Sequence, residues 1–167
     1  PIADQAGKFI IQEGEFPAVM YDFIAGHDAP INSESRNQVA TEIAKLNSIS
    51  VPAGFSKSNN LNFQNCVELA GKFDSAPNQI PEVFEHFRSE LDLLEPHVNR
   101  PLTTGFVHGD LFPNNTIFEG LELKALIDFE EFAVDTLLFD AAMTMIGFCL
   151  DDQFKIDSKA KAEFLEA

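Results

Sequence analysis

Three oxygen-bearing side chains crowd the segment GFVHGDLFPNNTIFEGLELKALIDF, residues 105–129. Asp110 and Asn115 lie five positions apart across a loop that opens and closes in extended sequence. Asp128 follows the apolar run Ala125-Leu126-Ile127 and precedes Phe129. Carboxylate and amide oxygens gathered at a strand–loop–strand junction suit a hard divalent cation, which takes oxygen ligands. The set also leaves one carboxylate to accept a proton. Glu130 and Glu131 follow at once, fitting equally a solvated surface or the wall of a pocket for a cationic substrate.

Net charge sharpens this reading. The chain carries −16 at pH 7, which repels nucleic acid and anionic membrane. It would repel a nucleotide too. Two unit charges ~4 Å apart interact by about 4 kcal/mol at an effective dielectric of about 20. A triphosphate beside these Asp residues therefore requires divalent cations between them. A metal-dependent hydrolase built on the same trio would need more His or carboxylate ligands around its water than this spacing offers.

The elements that must position the trio follow from pattern. Residues 8–12 and 17–24 read as strands joined by a turn at Glu13-Gly14-Glu15, a hairpin. Asn32 predicts an N-cap for a helix over 33–48 with Val39, Ile43 and Leu46 on one face. A helix over 62–73 should bury Phe63, Val67 and Phe73. Pro81 opens a helix over 81–97 with Val83, Phe84, Phe87, Leu91 and Leu94 as its stripe. Strands over 105–108, 116–118 and 123–127 should form one small antiparallel sheet element over 105–128, with Asp110 and Asp128 facing one cleft. Asp135 caps a helix over 136–149, with Phe139, Met143 and Ile146 inward. A last helical pattern covers 158–167.

Composition bounds the rest. The 167 residues are 45% hydrophobic and include 17 Phe and no Trp, so most of the Phe rings are expected in a core. No apolar run approaches the ~20 residues of a membrane span. The N-terminal sequence PIADQAGK lacks the basic and apolar regions of a signal peptide. Cys66 and Cys149, far apart and outside any metal-ligand spacing, read as two buried reduced thiols in a cytoplasmic protein. His27, His86 and His97 read as surface residues.

The spacing H-x-D-x-x-x-x-N followed by a strand and Ile127-Asp128-Phe129 resembles the catalytic and metal-binding loops of eukaryotic-like kinases. The form HGDLFPNN…IDF, with Gly109 where protein kinases usually carry Arg, resembles the aminoglycoside phosphotransferase-like superfamily, which includes choline and homoserine kinases. DTLLFDAAMTM is similar to that branch's D-x-x-x-x-D-x-A helix. GKFIIQEGEFPAVMYDFIAG is similar to its last N-lobe strands and adenine hinge, and VATEIAKLNSI to its first C-lobe helix, with Asn47 in place of the usual His. The resemblance implies an α+β, protein kinase-like fold: a mostly helical C-lobe with a small antiparallel sheet over 25–167, and the end of an N-lobe with its hinge strands over 1–24.

It further implies a phosphotransferase that uses ATP and Mg²⁺ on the hydroxyl of a small molecule. Asp110 would accept the hydroxyl proton. Asn115 and Asp128 would hold Mg²⁺. The backbone at Met20, Tyr21 and Asp22 would pair with adenine. His108 and Asp140 would support the loop. HGDLFPNN and LLFDAAMT…C are most similar to homoserine kinases. Glu130, where those carry an aromatic residue, and Ile146-Gly147-Phe148-Cys149, in place of their Asn-Asp-Trp-Cys, depart from that pattern and keep choline, aminoglycoside and other amino-alcohol acceptors open. So does a non-catalytic nucleotide-binding module. No Gly-rich phosphate loop, strand Lys or partner Glu can be placed before residue 8. The chain is therefore expected to be a piece of a protein roughly twice as long, inactive by itself.

Overall fold

The computed structural model of the chain describes residues 1–73, 80–98 and 100–167. Its elements are α+β, as expected. β1 (Ile10–Glu13) and β2 (Phe16–Val19) form an antiparallel hairpin. Gly14 has φ +61° at the first position of the two-residue turn, where a hairpin favours glycine. Pairing stops at Val19 rather than running to residue 24. The Asp4 carboxylate accepts the N–H groups of Ala6 and Lys8 at 2.8 Å each. Residues 4–8 are thereby bent into a turn and offer residues 20–24 no ladder.

α1 (Ser33–Asn47) starts where the sequence places it. The Asn32 side chain accepts the Ser35 N–H at 3.0 Å, and the Ser35 hydroxyl accepts the Asn32 N–H at 3.2 Å. This reciprocal cap satisfies two donors that a helix start leaves over. α1 buries Ser35, Val39, Ala40 and Ile43. Against it packs α5 (Ser158–Glu166), capped by Asp157 and burying Ala160 and Phe164. Arg36 and Glu163 tie the two helices at 2.7 Å.

Between them lies the core, where Leu111, Phe118 and Phe148 are fully buried against Val39, Ile43 and Phe164. Among the described residues, Phe106, Phe118, Phe148 and Phe164 are the buried phenylalanines. Phe9, Phe16 and Phe23 are exposed, because among the described residues the hairpin strands pack chiefly on each other. Cys149 is buried, and burial pushes its thiol pKa up. Cys66 is only half-buried, against the expectation of two buried thiols.

α2 (Phe63–Phe73) and α3 (Pro81–Leu94) pack chiefly on each other, with the Phe73 and Phe84 rings 5.4 Å apart. Of the expected apolar faces, Val67, Phe73, Val83 and Leu94 are exposed. α2 buries Ala70 and α3 buries no side chain among the described residues. The final residues of the expected 81–97 helix, Glu95–His97, tighten to 3₁₀ geometry.

The strands around the trio form two ribbons, not one sheet. β4 (Thr116–Glu119) pairs with β5 (Glu122–Leu126), while β3 (Thr104–Val107) pairs with β6 (Ala133–Thr136). β6 has no strand signature of its own, since Asp in the middle of four residues is a poor β former. Partners impose it: the Asp135 carboxylate accepts the Asn59 amide at 2.8 Å, and the Val134 N–H donates to the Lys57 carbonyl at 2.9 Å. Asp135 is thus a strand residue, and Thr136 caps α4 (Leu137–Phe148). α4 turns Asp140, Thr144 and Phe148 inward instead of Phe139, Met143 and Ile146. The sequence LLFDAAMTMIGF is apolar nearly all round, so periodicity could not choose a face. The bonds of Asp140 choose it.

Candidate functional site

β3 delivers His108, Gly109 and Asp110 to the top of the core. His108 is fully buried. Its ring donates from Nε2 to the Ile127 carbonyl at 2.9 Å and accepts the Asp110 N–H at Nδ1 at 3.4 Å. A carbonyl can only accept and an N–H only donate, so these partners define the Nε2–H tautomer. Both ring nitrogens are engaged, and the Phe129 ring lies 4.5 Å away. The His108 ring thus links the two loops.

Asp140 holds the same turn from below. Its fully buried carboxylate accepts the His108 N–H and the Gly109 N–H at 3.1 Å and the Asn47 amide at 2.9 Å. Three N–H donors compensate a charge that would otherwise be costly to bury. The Asn47 amide nitrogen also donates to the Phe106 carbonyl at 2.8 Å, so α1, β3 and α4 meet at one side chain. Gly109 has φ +86°, and a Cβ there would fall 2.7 Å from the Glu131 carbonyl oxygen. Only glycine meets both conditions without strain.

Asp110 and Asn115 are in direct contact. The Asn115 amide nitrogen donates to the Asp110 carbonyl at 2.7 Å and to its carboxylate at 3.1 Å. With the nitrogen so engaged, Asn115 presents its Oδ1 as an acceptor, with the Asn114 amide 3.4 Å away. Leu111, fully buried, anchors the loop between them. Asp128 is brought alongside by its neighbour. The Ile127 N–H donates to the Asn115 carbonyl at 3.0 Å, and the Ile127 carbonyl accepts from His108. Asp128 itself is exposed and has φ +61°. That left-handed conformation is uncommon outside glycine and is most often tolerated by Asn and Asp. Held strain of this kind concentrates at functional loops.

Among the described residues no three His, Cys, Asp or Glu side chains form a metal cage. The donor set fits Mg²⁺ nonetheless. Mg²⁺ is held through one or two carboxylates plus substrate phosphates and water rather than by an all-protein shell. Asn115 Oδ1 and Asp128 are hard oxygen donors of that kind.

Met20, Tyr21 and Asp22 stand apart from this cluster, exposed on an irregular segment. The Met20 carbonyl accepts the Ile2 N–H at 2.7 Å. The segment is tied to the site at its far end. His27 and Phe118 exchange backbone hydrogen bonds of 2.9 and 2.8 Å, and a Cβ on Gly26 would meet the Phe118 carbonyl at 2.5 Å. His27, His86 and His97 are exposed, as expected. Sequence reasoning missed the clamp at Asn47, for which the only signal was the departure from His. It also missed Asn59, buried and bonded to Asp135; an Asn in a loop gives no such signal.

A family model described as the phosphotransferase enzyme family matches residues 10–166. A homoserine kinase of Zymomonas mobilis is 30% identical over 150 residues, covering 88% of this chain and 47% of that protein. A homoserine kinase of Beijerinckia indica is 29% identical over 153 residues, covering 90% and 48%. The chain spans about half the length of these curated relatives. Among solved structures, a spectinomycin phosphotransferase in complex with ADP and spectinomycin superposes with TM-score 0.72 at 16% identity, covering 99% of this chain and 56% of that one. A choline kinase from Cryptosporidium parvum superposes with TM-score 0.67 at 18% identity, covering 93% and 54%. The chain has the kinase-like fold of these proteins.

Proposed function

The chain belongs to the phosphotransferase enzyme family, and on that premise we propose that it carries the proton acceptor and metal ligands of an ATP-dependent homoserine kinase. The observation that carries the chemistry is the Asn115 amide bonded to the Asp110 carboxylate on a loop braced by His108 and Asp140, with Asp128 next in chain to Ile127, whose N–H bonds the Asn115 carbonyl. The reading of the acceptor is supported by relatives named homoserine kinase across 88% and 90% of this chain. Residues 25–167 would be the C-lobe, and residues 1–24 the end of the N-lobe with its hinge.

Asp110 would accept the proton of the acceptor hydroxyl as its oxygen bonds the γ-phosphorus of ATP and the bond from that phosphorus to the ADP oxygen breaks. The Asn115 amide on its carboxylate aims that acceptor. Asn115 Oδ1 and Asp128 would hold Mg²⁺, which would supply positive charge against the phosphates. His108 and Asp140 fix the backbone on which all three ride. Phosphoryl transfer asks little covalent work of the protein, so positioning and charge carry the rate. Backbone groups at Met20, Tyr21 and Asp22 meet the adenine.

The test is ADP release by the full-length protein with homoserine, choline, an aminoglycoside and methylthioribose. Turnover with homoserine alone is expected. Turnover confined to choline or the aminoglycoside would overturn the acceptor assignment, and none with any acceptor would overturn the kinase reading.

A further inference from the structure

Among the described residues, Lys57 is the one cation hydrogen-bonded to the segment that follows Asp128. Its Nζ donates to the Glu130 carbonyl at 2.5 Å. The backbone under it is fixed: the Lys57 carbonyl accepts the Val134 N–H at 2.9 Å, and Ser58 bridges Val134 in parallel. Two residues earlier, the Phe55 ring stands edge-on to Phe106 and Phe132, at 5.0 and 6.0 Å.

The ammonium is exposed, and among the described residues no carboxylate pairs with it. Lys45 and Lys124 find glutamates at 2.6 and 2.8 Å, whereas Lys57 is held by the Glu130 carbonyl. An ammonium has three donors, so the bond to Glu130 leaves two. The location gives them a use. The carbonyl of Glu131, the next residue, presses on Gly109, and Gly109 adjoins Asp110. Lys57 is therefore held one peptide away from the turn that carries the proposed base.

We propose that Lys57 binds the carboxylate of the acceptor, so that the site selects a zwitterionic hydroxy amino acid over amino alcohols that carry positive charge alone. The inference rests on the kinase reading above and deepens its substrate class. Around Asp110, Asp128, Glu130 and Glu131 the local charge is negative, which by itself repels an acceptor carboxylate and welcomes a simple ammonium. A fixed cation with two donors at the edge of this field reverses the preference for one part of the acceptor. An acceptor bearing only an ammonium gains nothing from it and meets repulsion.

The experiment compares homoserine with 3-aminopropan-1-ol, a primary alcohol and amine without a carboxylate, in the full-length protein. Lys57→Met should raise KM for homoserine by roughly 10- to 100-fold, the usual worth of a hydrogen bond to a charged group. kcat should change little, and KM for 3-aminopropan-1-ol should stay or fall. Lys57→Arg, which keeps the charge, should retain most of the affinity for homoserine, which a folding defect at this position would not allow. An unchanged KM for homoserine in Lys57→Met, or an equal rise for both acceptors, overturns the proposal while leaving the kinase reading intact. A wild type that prefers 3-aminopropan-1-ol does the same. Phosphorylation of neither acceptor overturns the homoserine assignment on which the proposal rests, and the role of Lys57 with it.

Discussion

Replacing Asp140 by Ala removes the acceptor of three N–H groups at once, those of His108, Gly109 and Asn47, in a place with no solvent exposure. An orphaned buried donor costs about 1–3 kcal/mol, and breaking a buried charge network about 3–5 kcal/mol. Water entering the vacated space and the relief of a buried charge offset part of this. The expected loss is on the order of 4 kcal/mol, a large share of the ~5–15 kcal/mol that holds a domain together. Asp140→Asn keeps one acceptor oxygen but turns an NH₂ toward donors, and should cost about half as much. The clamp also predicts coupling. Once Asp140 is Ala, Asn47→Ala should cost less than it does in the wild type, since one of its two bonds is already gone. Urea unfolding of the four proteins of this cycle, at unchanged m-value, measures both quantities. A loss under ~1 kcal/mol for Asp140→Ala, or strict additivity with Asn47→Ala, would refute the brace.

Other consequences can be measured alongside. Gly109→Ala should cost about 2 kcal/mol or more in urea unfolding, because a left-handed residue with a side chain is strained and the new Cβ meets the Glu131 carbonyl at 2.7 Å; a neutral effect would contradict the packing of that peptide on the loop. The hydrogen bond from Arg36 holds the Glu163 carboxyl below its usual range. A depressed folded-state pKa stabilises above the unfolded value, near ~4.3, and that stability is lost as pH falls through the folded value. The thermal midpoint of the wild type should therefore fall more between pH 7 and pH 3 than that of Glu163→Gln, and parallel curves would deny the linkage. Asp128→Ala should weaken Mg²⁺–ATP binding by the full-length protein more than Asn115→Ala does, since an amide carries no formal charge. Calorimetry showing wild-type affinity for Asp128→Ala would remove that residue from the metal site.

What the sequence could reveal divides along physical lines. The start of α1 was legible because Asn32 and Ser35 satisfy the helix end locally. The loop from His108 to Asn115 was legible because its chemistry is dense and its spacing short. β6 was not, because Asp135 and Val134 owe their extended conformation to partners far away in sequence, Asn59 and Lys57. Nor was the inward face of α4: an almost wholly apolar helix has no preferred side until a buried polar bond fixes one, and Asp140 supplies that bond from tertiary structure. The exposed rings of Phe9, Phe16 and Phe23 carry the same lesson in reverse. Phenylalanine indicates a wish for burial, and whether burial occurs depends on a second layer that composition cannot supply. Asn47 was noticed only as a departure from a family pattern, and its two bonds became readable only once α1, β3 and α4 were placed together.

The central claim, that Asp110 accepts the hydroxyl proton, is tested most directly by the turnover of Asp110→Asn in the full-length protein with homoserine and Mg²⁺–ATP. Asn is nearly isosteric and can still bond Asn115, but it cannot take a proton. Positioned proton transfer contributes about 10²–10⁴-fold, so kcat should fall by that order while the affinity for Mg²⁺–ATP barely moves. A kcat equal to that of the wild type would contradict the account.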